Sequence, residues 1–351
     1  MINYQRKEFF IDHWLLTIEK WLLFLFDGAP VELKKNQIII GIIIGLGFMA
    51  LPLFIEGYWI RVLSSIFMYA IITGALNIIA GFAGYAAFGN IVFFGIGAYT
   101  TAMLMLRVGF PWWTGVFVGA ILAALFAVLV GLPILRLRGH YFAIATLGIN
   151  RAVEQIALDW GSFTGGGKGI TLPLPKMEIQ SFYAMIYFIM FGLLLLTILT
   201  NFLIARGRLG YALRAIRDNE DAAEASGIFA PTCKVIAWAI SAFITGLTGG
   251  VFAYWFSFIE PAMVFDIMIA VKAFVMMMLG GAGTVLGPII GAFLLELISE
   301  TVWGQFLTIH MLILGIIVVG VVIFIPRGVL DLFRKKISLS ALIRNIKNQS
   351  I

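Results

Sequence analysis

Apolar residues run along this chain in long blocks, broken by short polar or glycine-rich stretches. A helix needs about 20 predominantly apolar residues to cross a bilayer. By that measure the sequence predicts about ten spans, near 37–55, 60–80, 90–106, 112–135, 140–158, 181–204, 235–257, 265–280, 285–302 and 306–325. Four of these blocks hold charge. Arg61 lies in the second, Arg151 and Glu154 with Gln155 in the fifth, Asp266 and Lys272 in the eighth, and Glu296 in the ninth.

The expected fold is an all-α integral membrane protein in two pseudo-symmetric halves with glycine-rich helix breaks. Its transmembrane domain covers 37–326 and includes a loop at 206–234, with a basic tail at 327–351. Within the preceding segment, 1–36, the Trp14–Phe26 stretch is too short to cross and reads as an amphipathic helix at the interface. Acids and Lys20 interrupt that segment, which departs from the basic–apolar–small pattern of a cleaved leader.

Composition agrees with the pattern. Hydrophobic residues make up 62% of the chain and charged residues 12%, half the share of a soluble domain. The net charge of +6 does not form one patch, because the basic residues flank apolar blocks, and this excludes a nucleic-acid surface. With a cytoplasmic amino terminus, four basic groups fall on one side. They are the 1–36 segment, Arg136 with Arg138, the 206–234 loop and the 327–351 tail. The other side receives Arg61, Arg107, Lys168 and Lys176, so the positive-inside rule favours an even number of spans and two cytoplasmic termini.

Candidate chemistry is sparse. Cys233 is a lone cysteine, and His13, His140 and His310 are far apart, so neither a disulfide nor a metal site is expected. The stretch "GSFTGGGKGITLPLP" at 161–175 lacks a phosphate loop's first glycine, because Ser162 stands there, and Gly169 replaces its Ser or Thr. No nucleophile–base–orienter set can be assembled, so no catalytic residue and no cofactor bound by this chain is expected. Arg151 and Glu154, three apart on a helix, suit either a polar pathway lining or an internal ion pair. Lys272 has Asp266 or Glu296 as a possible partner, and the acid ladder of a proton-driven pump is missing.

Two glycine clusters punctuate the blocks, "GFAGYAAFGNIVFFGIGA" (81–98) and "GGAGTVLGPIIGAF" (280–293). Each begins Gly-x-Ala-Gly and closes with Gly-Ala entering an apolar run. Paired interruptions in two halves point to a transporter's repeats and pathway, whereas single glycines also serve plain helix packing. The mixed-charge stretch "RLGYALRAIRDNEDAAEASGI" (208–228) is the other anomaly. It predicts a short helix with Asp218 as N-cap, Asp221 at N3 and Gly227 ending it in a left-handed conformation. A helical wheel puts Ala212, Ala215, Ile216, Ala222 and Ala223 on one side and Arg214, Arg217, Asp221 and Glu224 on the other.

Five ordered motifs carry a family resemblance. They are "LNIIAGFAGYAAFGNIVFFGIGAYTTAML", "LRLRGHYFAIATLGI", "TGGGKGI", "LGYALRAIRDNEDAAEASGI" and "LGGAGTVLGPIIGA". Together, over about residues 60–330, they resemble the LivM-type permease subunit of branched-chain amino acid ABC importers, a family that extends to urea and short-amide permeases. The resemblance implies a multi-pass protein of a prokaryotic cytoplasmic membrane that performs no bond chemistry itself. It implies a second related permease, two ATPases using ATP and Mg, and an external solute-binding protein as partners. Asp221-Ala222-Ala223-x-x-x-Gly227 is similar to the family's E-A-A-x-x-x-G coupling motif. That likeness marks Arg214, Arg217, Asp218, Glu220, Asp221, Glu224 and Gly227 as ATPase-coupling candidates.

Pathway candidates are Asn77, Gly81, Gly84, Gly89, Asn150, Gln155, Gly280 and Gly283. The chain departs from the family at Ala87, Asn90 and His140, where Ser, His and an acid are common. It departs again at Asn150-Arg151, near which a Gly-Glu pair is common. These departures leave the cargo more open than the fold. Branched-chain or other neutral amino acids lead, urea or short amides follow, and a self-sufficient secondary transporter or channel is the rival of a different class.

Overall fold

The computed structural model describes residues 45, 47–53, 57–173, 177–305 and 315. The expected interfacial helix, the tenth span, the tail and most of the first span lie outside these residues.

The described chain is almost entirely helical. α1 (Gly57–Leu76) widens into a π-type turn over Asn77–Phe82. A 3-10 turn at Phe88–Asn90 leads into α2 (Ile91–Met103), which ends in a second π-type turn, Leu104–Val108. α3 (Trp112–Ile134) follows the left-handed Gly109 and Pro111, residues that stop one helix and start the next. α4 (His140–Asp159), α5 (Ile179–Arg206), α6 (Arg208–Asp218), α7 (Glu220–Ala225), α8 (Ala230–Phe256), α9 (Ile267–Gly280) and α10 (Gly287–Gln305) follow, with one-turn helices at Gly161–Thr164 and Pro261–Val264. Strands β1 (Ile170–Thr171) and β2 (Phe258–Ile259) form a small antiparallel pair that pins two loops together at one end.

Six described helical stretches are long and apolar enough to cross a membrane: Gly57–Phe82, Phe88–Val108, Trp112–Ile134, Ile179–Arg206, Ala230–Phe256 and Pro261–Gly280. They coincide with six of the expected spans. α4 and α10 are helical where the fifth and ninth spans were expected, but neither belongs to this set. The protein is accordingly an α-helical, multi-pass membrane protein.

Small residues bring α2, α3 and α8 into close contact. A Cβ on Gly97 would strike the Gly246 carbonyl, and one on Gly249 would strike the Phe94 carbonyl. Without a hydrophobic driving force between helices in lipid, such backbone approach is what packing rests on. α1 packs on α5, α9 and α10, and α8 joins the two groups. Outward faces of α3 (Phe117, Ile121, Leu125, Leu129) and α5 (Leu195, Leu199, Leu203) are apolar and exposed, as lipid-facing surfaces should be.

α9 has 14 residues, a rise of about 21 Å, and so falls short of the roughly 30 Å hydrocarbon layer. The one-turn helix Pro261–Val264 precedes it, and at the join Phe265 O accepts a hydrogen bond from Asn150 Nδ2 (2.8 Å), halfway along α4. Irregular backbone in a membrane protein is tolerated where protein covers it, and Phe265 is buried.

Candidate functional site

The mixed-charge stretch folds as two helices rather than one. Asn219, extended at φ −162° and ψ 109°, separates α6 from α7. It caps α7 through its Oδ1, which accepts from Ala222 N (3.0 Å). The N-cap is therefore Asn219 and not Asp218, because the break falls one residue later than the sequence pattern placed it. For the same reason a single helical wheel fails here. Leu209, Leu213 and Ile216 of α6 and Ala223 of α7 are buried, whereas Ala222 is exposed beside Asp221 and Glu224. Gly227 has φ 89°, and Ile228 N reaches back to Ala223 O (3.1 Å) to close α7.

α7 is anchored inward through Glu220. Its Oε1 lies 2.7 Å from Lys234 Nζ of α8, and its Oε2 accepts from the Tyr85 hydroxyl. Lys234, only 1% exposed, also donates to Tyr85 Oη (3.0 Å) and to Leu135 O (2.8 Å). Arg138 Nε is 3.6 Å from Glu220, and Arg138 Nη1 is 2.8 Å from Asp221. Burial pushes the Glu220 carboxyl upward, but hydrogen bonds from Lys234 and Tyr85, with the charges of Lys234 and Arg138, outweigh it. The carboxyl is held below its ordinary range. Burial, reinforced by Glu220, pushes the Tyr85 hydroxyl far above its usual range, so it stays a donor.

α6 meets the two glycine breaks. Arg217 Nη1 donates to Gly81 O (2.7 Å), and a Cβ on Gly84 would sit 3.0 Å from Arg217 Cγ. A Cβ on Gly283 would lie 2.8 Å from Arg217 Nη1 and 2.9 Å from Gly81 O. Asn77 ties the breaks together: its Oδ1 accepts from Gly283 N (2.8 Å), and its Nδ2 donates to Thr284 O and Asn201 Oδ1 (both 3.0 Å). Gly280 is packed against Gly287 and Gly291. The two clusters that the sequence pairs are thus brought face to face, with Arg217 between them.

The other candidates lie apart from this hub. Gly89 packs on the Thr146 backbone of α4, and its N–H points at Thr146 Oγ1 (3.3 Å). Asn150 is fully buried on the Phe265 carbonyl. Gln155 is exposed and bonded to Asp159 Oδ1 (3.0 Å). Arg214 turns back to Ala205 O (2.9 Å), while Asp218 and Glu224 are exposed. Arg151 pairs with Glu154 (2.6 Å) within α4, and Lys272 pairs with Glu296 (2.5 Å) across α9 and α10. Asp266 instead caps α9, accepting from Met268 N (2.9 Å).

Sequence reasoning missed Tyr85, Arg138, Lys234, Asn201 and Thr284. One signal was there to read. Lys234 is the single charged residue of α8 and follows an acidic stretch, so it needed a carboxylate partner.

Comparison with known proteins bears on what this arrangement serves. The family model described as "Branched-chain amino acid transport system / permease component" matches residues 58–322. The high-affinity branched-chain amino acid transport system permease protein LivM of Escherichia coli (strain K12) is 30% identical over 348 residues, covering 91% of this chain and 80% of the relative. LivM of Salmonella typhimurium is 30% identical over 350 residues, covering 92% and 80%. The autoinducer 2 import system permease protein LsrC of Yersinia enterocolitica is 27% identical over 230 residues, covering 59% and 60%. No solved structure matches. The chain belongs to the family of branched-chain amino acid transport system permease components.

Proposed function

We propose that this chain is a permease subunit of an ATP-driven importer for branched-chain or other neutral amino acids. It supplies one half of an alternating-access pathway in a prokaryotic inner membrane and keeps both termini cytoplasmic. A second permease forms the other half, two ATPases using ATP and Mg drive it, and an external binding protein delivers the cargo. The observation that carries this reading is the α6–α7 segment. Its outer face offers Asp221, Ala222 and Glu224 to solvent, while Glu220 ties it to Lys234 of α8 and Arg217, itself exposed, donates to Gly81 O in the first glycine break. A short exposed helix with small residues suits a groove in another protein, and the inward ties give that contact a way to move the spans.

The cargo reading rests on family membership and on the LivM relatives, whose alignments cover most of the chain. A zwitterion with an apolar side chain needs few fixed charges along its route.

The test is uptake of labelled leucine into vesicles holding the assembled subunits, with ATP inside or withheld, and with unlabelled amino acids, urea and amides as competitors. ATP-dependent uptake suppressed by valine and isoleucine supports the reading. Undiminished uptake without ATP rejects the importer, and competition by urea alone rejects the cargo.

A further inference from the structure

The exposed surfaces of this protein differ in chemistry from helix to helix. α3 and α5 present leucine, isoleucine and phenylalanine outward. α4 does not. Its exposed stripe runs Tyr141, Ile144, Gly148, Arg151, Gln155 and Asp159, residues three or four apart on one face. The opposite face of the same helix is used up: Phe142, Thr146, Asn150, Glu154 and Ala157 are buried against the α2 entry turn and the segment before α9.

Arg151 is the decisive residue. Its side chain is 62% exposed, whereas that of its partner Glu154 is 10% exposed. It is the twelfth residue of the 20 in α4, so about 17 Å of helix rise precede it and about 12 Å follow. Its guanidinium is tethered beside Glu154, still roughly 7–8 Å of rise short of Asp159, rather than extended to the end of the helix. Glu154 takes one of its five N–H donors. Gly148, one turn earlier, has nothing within 4 Å of where a Cβ would stand. Lipid is a poor neighbour for such a face, because a charge in hydrocarbon is costly unless it meets water or protein. A dry protein contact is a poor fit too, since the stripe mixes an open glycine with charged and amide groups.

We propose that the Gly148–Arg151–Gln155 stripe of α4 lines a water-filled route closed on its far side by a second permease subunit. This rests on the reading of the chain as one half of an importer. It moves the route away from Asn77, Gly81 and Gly280, which are packed inside the chain and serve as the joint between its two glycine breaks.

The experiment uses membranes of cells making the full set of subunits. Gly148→Cys, Gln155→Cys and, as a lipid-facing reference, Leu125→Cys are placed singly in a Cys233→Ala background. Each is treated with a charged, membrane-impermeant thiol reagent from either side. The two α4 positions should react at least about tenfold faster than Leu125→Cys, since a charged reagent is excluded from hydrocarbon. In membranes lacking the second permease, both α4 positions should fall to the rate of Leu125→Cys, because lipid then covers the stripe and excludes the charged reagent. Reactivity of Gly148→Cys and Gln155→Cys no higher than that of Leu125→Cys overturns the proposal, whether lipid or another protein segment covers the stripe. ATP dependence of leucine uptake is read on the same membranes. Silent α4 positions with ATP-driven uptake reject the route alone, whereas ATP-independent uptake rejects the importer and with it the second subunit.

Discussion

Lys234 Nζ lies 2.7 Å from Glu220 Oε1, so a lysine buried to 1% exposure in a membrane helix is neutralised by a residue of the short charged helix α7. A buried pair of this kind adds little net stability by itself, but removing one partner leaves the other charge stranded. Glu220→Gln should therefore destabilise the protein by about 3 kcal/mol. The double variant Glu220→Gln with Lys234→Met should be more stable than Glu220→Gln alone. Thermal unfolding of the four proteins in detergent, treated as a double-mutant cycle, measures the coupling. A coupling indistinguishable from zero would show that the two side chains do not depend on each other.

The same carboxylate sets an expectation for pH. Its folded pKa is lowered despite burial, by Lys234, Tyr85 and Arg138. A depressed acid contributes stability above its unfolded pKa and loses it as pH falls through the folded value. The contribution should therefore be intact at pH 6 and decline only below the ordinary carboxyl value of 4.5. Between pH 6 and pH 4, wild type should lose more melting temperature than Glu220→Gln, which has no proton to gain at this site. Equal losses in the two proteins would count against the arrangement.

Glycines that look alike in the sequence should respond differently to a methyl group. At Gly280 a Cβ would strike the Gly287 carbonyl and sit 2.9 Å from Gly291 N, both backbone atoms that cannot swing aside. Gly280→Ala should cost about 1–3 kcal/mol. Gly148 lies on an exposed helix face with open space around it, so Gly148→Ala should be neutral or slightly stabilising. Melting temperatures of the two variants check the contrast. A neutral Gly280→Ala would mean that the second glycine break is looser than the structure indicates.

These cases show what the sequence could and could not reveal. Six expected spans are long apolar helices, because a bilayer forces backbone hydrogen bonds inside the chain and leaves a hydropathy signal. Gly227 was legible as a left-handed helix end because that conformation favours a residue without a side chain. The N-cap was misplaced by one residue because Asp218, Asn219 and Asp221 can all cap, and only tertiary packing of Leu213 and Ile216 fixes where α6 stops. Partners distant in sequence stayed hidden. Nothing local to Tyr85, Arg138 or Lys234 says that 135 residues of chain, in the case of Tyr85, fold back to put Glu220 beside it. The pairing of the glycine clusters was visible as a pattern, yet their direct contact through Asn77 and Gly283 was not.

Arg217 gives the most direct test of whether α6 communicates with the spans. Its Nη1 donates to Gly81 O at 2.7 Å in the first helix break, and it lies 2.8 Å from where a Cβ on Gly283 of the second break would stand. Arg217→Met keeps the length of the side chain but removes the donors, leaving the Gly81 carbonyl without that charged partner. Arg217→Lys keeps charge but not the planar fork. In vesicles holding the assembled subunits, Arg217→Met should leave ATPase association intact and lower leucine uptake per ATP hydrolysed, with Arg217→Lys in between. The ratio matters more than either rate, because a merely unstable variant lowers both together while a severed linkage lowers uptake alone. Wild-type stoichiometry in Arg217→Met would mean that force reaches the glycine breaks by another route, with the Glu220–Lys234 pair the next place to cut.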